Sequence, residues 1–316
     1  MEKVIYNSLL SSTNLEGDRY FYCNPMTWNG GHGKGHTTVP RWEEMNSYCC
    51  PPSISRTIAS LHSWCYSFSN HSLWVNLYGS NTLKTTLPAG SPVELEQKTD
   101  YPWEGRIEIN VTKMPDEPFD IMLRIPAWAD DAKITVNGEN VNEKVEPGTY
   151  CQLRRNWSPD DQVILELPMR VKLMEANSRL ENLKNKVAVV RGPIVYCLEL
   201  PVEHPNAQDI WNNGIYIPAN VDLKPEFRDD MLGGIVTLKG SLLNEEGKQD
   251  FLNKIGDVSV SMHQKEWSDN ELYREMEPRQ IETKPEKGVY NVTLIPYYAW
   301  SNRGLSYMQV WLELAG

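Results

Sequence analysis

Several things are scarce in this chain of 316 residues. No run approaches eighteen uninterrupted apolar residues, so no segment is expected to span a membrane. Basic charge is in deficit: 31 Lys and Arg against 42 Asp and Glu leave a formal charge of −11 and a pI near 5.1. That balance excludes the basic face that a nucleic acid or an anionic membrane requires. A phosphate-cradling glycine loop is missing, and so is the G-x-S-x-G elbow of a serine hydrolase. No basic leader followed by an apolar run opens the chain, so no signal peptide is visible. Six cysteines at 23, 49, 50, 65, 151 and 197 are too irregularly spaced, in too long a chain, for a small secreted disulfide scaffold. With 40% hydrophobic residues and a mean hydropathy of −0.51, the composition reads as a soluble globular protein of two or three domains.

Phenylalanine is also scarce, at five, but Trp numbers eleven and Tyr fifteen. Indole planes suit the flat faces of sugar rings and keep an N–H free for hydrogen bonding. They equally suit the core of a β-sandwich, where Trp is deeply buried. Helical signals are confined to the first seventy residues. Val4, Ile5, Leu9 and Leu10 predict a short amphipathic helix starting at the first residue without N-cap chemistry. Arg19 to Pro25 reads as a short strand or extended turn, and Gly30 to His36 as a loop without periodicity. Pro51 and Pro52 open a second helix, in which Ile54, Ile58, Leu61, Trp64 or Cys65, and Phe68 recur on one face.

From residue 73 the period changes to two. Strands are expected at Leu73–Tyr78, Arg106–Val111, Ile121–Ile125, Ile134–Val136, Tyr150–Arg154, Val163–Leu167, Lys186–Val190, Ile194–Leu200, Val292–Tyr298 and Met308–Leu314. Asn137-Gly138 is a two-residue hairpin signal, and Asn156 to Asp161 is a further turn. Short strands between such turns read as antiparallel sandwiches or jelly rolls. Residues 203–285 are more polar and do not order into strands from the pattern, and no internal repeat is evident.

The chemistry concentrates at Cys49-Cys50-Pro51-Pro52. Adjacent cysteines seldom bridge to each other, but both can ligate one soft metal, and zinc is the usual partner of thiolates. Both also stand just before a helix N-terminus, whose partial positive charge favours thiolate over thiol. From physics alone the pair reads equally as two small buried residues beside a helix. His32 and His36 lie in the glycine-rich loop, where a solvated loop is the simpler reading than a metal site, and His62 and His71 read as ordinary surface or core histidines. Glu43 and Glu44 are adjacent and cannot face each other as a carboxylate pair, although one could reach a metal or substrate. Cys65, Cys151 and Cys197 fall in apolar patterns and are expected to be inert thiols.

The run Tyr48-Cys49-Cys50-Pro51-Pro52-Ser53-Ile54-Ser55-Arg56-Thr57-Ile58-Ala59-Ser60-Leu61 resembles the CCPPN-x-x-R-x-x-A-S-L segment of glycoside hydrolase family 127, the family of non-reducing-end β-L-arabinofuranosidases. Phe21-Tyr22-Cys23-Asn24-Pro25 is similar to its FYxNP stretch, and Leu73 to Tyr78 to its LxVxLY strand. Arg124-Ile125-Pro126-Ala127-Trp128, Val136-Asn137-Gly138, Leu167-Pro168-Met169, Val187 to Cys197 and Pro296 to Gly304 resemble its sandwich motifs, in order along the chain.

The resemblance implies a mainly β chain: the C-terminal remnant of an (α/α)6 catalytic barrel over 1–72, then two antiparallel, jelly-roll-like β-sandwich domains over 73–180 and 181–316. It further implies a retaining glycosidase whose zinc is held by three cysteines and a glutamate, acting on an arabinofuranose-containing glycan or glycoside. By position, Cys49 matches the cysteine nucleophile and a zinc ligand, Cys50 a second zinc ligand, and Tyr22 a sugar contact. The remaining ligands, the acid/base Glu and the sugar-binding histidines all precede the matched region in the family. The chain is therefore expected to be the C-terminal part of a longer enzyme and inactive alone. Ser47 stands where many members carry a further cysteine, for which Cys23 could substitute. Uncovered helix faces around Ile54, Ile58 and Leu61 would leave residues 1–70 poorly packed or self-associating. The alternative is a non-catalytic carbohydrate-binding or interaction module built from the two sandwiches. Asn110 and Asn291 head N-glycosylation triplets, which by themselves fix no localisation.

Overall fold

The computed structural model describes residues 1–34, 39–43, 48–255, 266–277, 281 and 284–315. It is mainly β, with 39% strand and 16% helix. Two compact units emerge, one of Lys3–Pro51 with Val171–Gly316, the other of Glu2 with Pro52–Arg170. Among the described residues no helix is long and apolar enough to cross a membrane.

The unit containing Pro52–Arg170 has two sheets. One runs Tyr150–Arg155, Phe119–Arg124, Ser72–Val75, Tyr66–Phe68; the other Asn81–Thr86, Pro92–Lys98, Arg106–Lys113, Gln162–Glu166, Lys133–Val136, Glu139–Asn140. Period-two sequence gives each sheet one buried face: Leu73, Val75, Ile121, Leu123 and Leu153 in the first, Val93, Leu95, Ile107, Ile109, Val163 and Leu165 in the second. Each such aliphatic side chain contributes roughly 1.5–3 kcal/mol when fully buried. Asn137 and Gly138 take positive φ, as the hairpin signal requires. Gly105 accepts a hydrogen bond from the Leu167 amide at 2.8 Å, and a Cβ there would lie 1.8 Å from the Leu167 carbonyl oxygen.

The Arg124 to Trp128 motif also finds its reason in this unit. Glu2 is buried, and its Oε1 accepts hydrogen bonds from Tyr101 Oη at 2.6 Å and Arg124 Nη2 at 2.5 Å. The Trp128 indole donates to Oε2 at 3.3 Å. Burial alone would depress the Arg124 guanidinium, but the charge and hydrogen bond of Glu2 hold it above its ordinary value.

In the other unit the ladder closes on itself. Ile194–Pro201, Val289–Pro296, Ile235–Leu243, Tyr216–Pro218, Trp311–Ala315 and Lys186–Arg191 follow one another, and Lys186–Arg191 pairs back onto Ile194–Pro201 through Val190 and Val195. Thr27–Asn29 from the N-terminal segment attaches to Ser306–Gln309, and Val171–Ala176 with Tyr273–Glu275 extends the other side. Tyr196, Leu198, Leu238, Leu294, Trp300 and Leu312 are buried in this unit.

Several expectations need correction. Helices are not confined to the first seventy residues, since Glu245–Ile255 is an 11-residue helix. The polar stretch 203–285 contains the nine-residue strand Ile235–Leu243. The helix after the cysteines spans Cys50–Ser60, with Pro51 its one buried residue, while Ile58 is 41% exposed and Phe68 lies in a strand. On the face named for it, Ile58 is exposed while Ile54 and Leu61 are half-buried. Residues 1–51 are nevertheless well packed in part: the leader is helical over Glu2–Val4 and Ile5–Leu9, and Ile5, Tyr20, Phe21 and Val39 are buried.

Candidate active site

The site is assembled from two short stretches of the unit that contains Lys3–Pro51. In the first, the residues of Phe21-Tyr22-Cys23-Asn24-Pro25 divide their tasks. Phe21 is buried and stacks on Trp300 at 5.0 Å. Asn24 is tied to the helical leader, its Nδ2 donating to the Ser8 carbonyl at 2.9 Å and its Oδ1 accepting from Ser11 Oγ at 2.8 Å. The Pro25 carbonyl accepts from Tyr297 Oη at 2.9 Å. Three of the five residues therefore anchor the stretch, and Tyr22 and Cys23 remain half-buried.

Tyr22 meets the cysteine pair. Cys49 Sγ and Cys50 Sγ are 3.4 Å apart, with either able to donate, and Tyr22 Oη hydrogen-bonds the Cys50 thiol. Cys49 is exposed and Cys50 half-buried. The Cys50 thiol is pushed above its ordinary value, first by its hydrogen bond to Cys49 and then by desolvation, against the lowering influence of Tyr22. Tyr22 is raised in turn, chiefly by its bond to Cys50.

The donor set bears directly on zinc. Two thiolates on one tetrahedral zinc stand about 3.8 Å apart, given Zn–S distances of about 2.3 Å. The observed pair fits one edge of that tetrahedron after a small adjustment. Among the described residues no three His, Cys, Asp or Glu side chains form a metal-binding group, so the edge is not extended into a closed site. Cys23 is near enough for its charge to act on Cys50. Glu43 is ion-paired with Arg19 at 3.0 Å, and His32 is exposed. His36, Glu44 and Ser47 lie outside the described residues.

Sequence reasoning missed Arg41 and Trp42. Trp42 pairs with Tyr20 through both backbone bonds, at 3.2 and 2.9 Å, and its ring stacks near Tyr22 at 6.4 Å. Arg41 lies over the Phe21 ring, 4.2 Å from its centroid. Pro40-Arg41-Trp42 carries no periodicity, so nothing local marks it. Cys151 and Cys197 are buried, and burial pushes both thiols up, Cys151 to about 11, which agrees with inert roles. Trp157 and Trp300 are also core, so at least these two indoles are not sugar platforms.

Three family profiles match the chain in succession. They are the GH127 β-L-arabinofuranosidase catalytic domain over residues 1–63, the GH127 middle domain over 72–169 and the family 127 C-terminal domain over 171–313. A non-reducing-end β-L-arabinofuranosidase of Bifidobacterium longum is 30% identical, covering 98% of this chain and 44% of that relative. A solved structure of a GH127 β-L-arabinofuranosidase from Geobacillus stearothermophilus T6 is 34% identical with a TM-score of 0.77, covering 99% of this chain and 45% of that one. Another, a glycoside hydrolase, is 33% identical with a TM-score of 0.79, covering 100% of this chain and 48% of that one. The chain spans less than half the length of each of these relatives.

Proposed function

The chain belongs to glycoside hydrolase family 127, and from that premise we propose that it carries the thiol part of a zinc-dependent, retaining glycosidase of the β-L-arabinofuranosidase kind, with Cys49 as nucleophile. The observation that supports this reading is the pair of sulfurs 3.4 Å apart, with Cys49 exposed, inside the segment matching the catalytic domain. Cys49 Sγ attacks the anomeric carbon as the glycosidic oxygen leaves with a proton from the acid/base carboxylate that the family carries upstream of the matched region, and water then cleaves the thioglycosyl bond with retention as that carboxylate takes the water proton. Cys49 and Cys50 would supply two zinc ligands, and the bound metal would keep sulfur deprotonated at neutral pH. Tyr22 orders the Cys50 side of the pair and contacts the sugar.

The proton donor is the weak point of the chain alone. Glu43, the described carboxylate nearest in sequence, is held by Arg19. Loss of a general acid costs on the order of 10²–10⁴-fold in rate, so little turnover is expected without further protein. We read residues 1–72 as barrel tail and 73–180 and 181–316 as two sandwich-type modules; the catalytic, middle and C-terminal profiles fall in that order over 1–63, 72–169 and 171–313. The exposed Ile58 supports self-association through the uncovered helix face.

The test is cobalt titration of the reduced chain, followed by labelling with an electrophilic arabinofuranose analogue. Thiolate-to-cobalt charge-transfer absorption is expected, lost in Cys49→Ser and in Cys50→Ser, and the sugar label is expected on Cys49. Absence of that absorption refutes the ligand pair. A label on Cys50 or Cys23 in preference to Cys49 refutes the nucleophile.

A further inference from the structure

The two sheets of the unit containing Pro52–Arg170 turn different faces outward. On the sheet that includes Pro92–Lys98 and Arg106–Lys113, outward positions hold ion pairs: Lys84 with Glu94 at 3.4 Å, Lys98 with Glu96 at 3.1 Å and Arg106 with Glu108 at 3.5 Å. That is an ordinary solvated face. On the other sheet the register sets Ser67, Trp74, Met122 and Gln152 in one row across all four strands. Their chain neighbours Leu73, Val75, Ile121 and Leu123 are fully buried on the opposite face, so the row points outward. Polar side chains are the rule at such positions, yet the centre of this row is a half-buried indole beside a half-buried thioether. Hydrogen bonds border it on both sides. Along one edge the Asp120 carboxylate accepts from Gln152 Nε2 at 3.0 Å and from Arg154 Nη1 at 3.1 Å, which leaves Gln152 Oε1 to accept and further Arg154 N–H groups to donate. Along the other, Tyr150 Oη donates to Asn76 Oδ1 at 2.7 Å and Asn76 Nδ2 to Ser67 Oγ at 2.9 Å, which leaves the tyrosine oxygen to accept and the serine hydroxyl to donate. Arg154 is paired with Asp120 and Arg124 with Glu2, so these charges cancel.

The geometry points to this face as a binding site for a neutral glycan chain, with a sugar ring on Trp74 and its hydroxyls shared among Gln152, Ser67 and Arg154. An indole plane suits the apolar face of a sugar ring. A rim that sets donors beside acceptors suits vicinal hydroxyls, each of which is both. Cancelled charge favours a neutral ligand over an anionic one. The row crosses three inter-strand steps of about 4.8 Å, a span of about 14 Å that takes more than one ring. Trp74, Met122 and Gln152 fall inside the middle-domain match and outside the catalytic-domain match, so the site is separate from the cysteine pair in sequence and in unit. Trp74 and Asn76 also occupy the unspecified positions of the LxVxLY strand, so the face is a property of this chain and not of the pattern that marks the family. That the glycan bears arabinofuranose rests on the proposed function; the site itself rests on the sheet.

The experiment is calorimetric titration of the full chain with soluble arabinan, galactan and polygalacturonate, in wild type, Trp74→Ala, Gln152→Ala, Phe227→Ala and Cys49→Ser/Cys50→Ser, with melting temperatures to confirm folding. Wild type is expected to bind arabinan saturably and polygalacturonate more weakly. Trp74→Ala is expected to weaken arabinan binding at least tenfold, and Gln152→Ala, at the exposed rim, about fivefold, the worth of one hydrogen bond. Phe227→Ala, at a ring 57% exposed in the other unit, and the double cysteine variant are expected to bind as wild type. Should Trp74→Ala not fold, Trp74→Phe and Gln152→Ala carry the comparison. No binding of any of the three glycans by wild type, or unchanged affinity in the Trp74 and Gln152 variants, overturns the assignment. So does loss of binding in the cysteine variant, which would put the glycan at the thiols, or tighter binding of polygalacturonate than of arabinan. Galactan bound through Trp74 with arabinan ignored keeps the site and overturns the sugar identity taken from the proposed function, so the two fail separately.

Discussion

Replacing Glu2 with alanine tests how charge is held in the unit containing Pro52–Arg170. The carboxylate is 8% exposed and its Arg124 partner 20%. Removing one member of a buried ion pair costs about 3–5 kcal/mol, because the surviving charge is left without its counterion. Arg124 keeps its Nε bond to the Asn76 carbonyl and some solvent contact, which places the loss near the lower end, about 3 kcal/mol. Tyr101 and Trp128 lose their acceptor as well. For a cooperative unit of this size about 3 kcal/mol corresponds to roughly 10–15 °C in melting temperature. Glu2→Gln, which keeps shape and acceptor but not charge, should cost about 1–2 kcal/mol. Differential scanning calorimetry of both variants, with Arg124→Leu and Glu2→Leu/Arg124→Leu, completes the cycle. The double variant should recover much of the loss, since two apolar groups leave no orphan charge. A shift below about 2 °C for Glu2→Ala, or a double variant as unstable as the sum of the singles, refutes the buried-pair account.

Other outcomes follow from single positions. Gly105→Ala drives a Cβ to 1.8 Å from the Leu167 carbonyl oxygen and should cost about 2–3 kcal/mol by chemical denaturation, whereas Gly79→Ala, with open space around it, should stay near wild type. Asp250 is held below its ordinary value, first by its hydrogen bond to Lys254 and then by the Glu286 amide. A depressed carboxylate adds stability above its unfolded value, about 4, and loses it as pH falls through the folded one. Melting temperature measured from pH 6 to pH 3 should therefore fall more steeply for wild type than for Asp250→Asn, and parallel curves would contradict this.

The readability of the sequence varied with how far each residue's reason lies from it. Strands such as Tyr150–Arg155 and Lys133–Val136 were legible because one face is buried and the period survives. Ile235–Leu243 was not: Ile235, Val236, Thr237 and Leu238 are all buried in the closed ladder, which erases alternation. The helix Glu245–Ile255 hid behind Gly247, where a Cβ would meet the Gly288 carbonyl at 2.6 Å, and behind an apolar face whose one fully buried large side chain is Phe251. At the site, the cysteine pair and Tyr22 carried a family pattern, but Arg41 has meaning only through Tyr298 and Trp300, about 259 residues away for the latter. No local window contains that information.

The pairing of Thr27–Asn29 with Ser306–Gln309 has a consequence for the order of events on the ribosome. One unit is encoded on both sides of the other, so the Pro52–Arg170 unit can close as soon as it has emerged. Phe21 and Thr27 must wait for Trp300 and Gln309, which at about 5–20 residues per second is a delay of tens of seconds. During that interval the segment bearing the cysteine pair has no completed scaffold. Phe21 and Thr27 gain these partners only once residues 300–309 have been made.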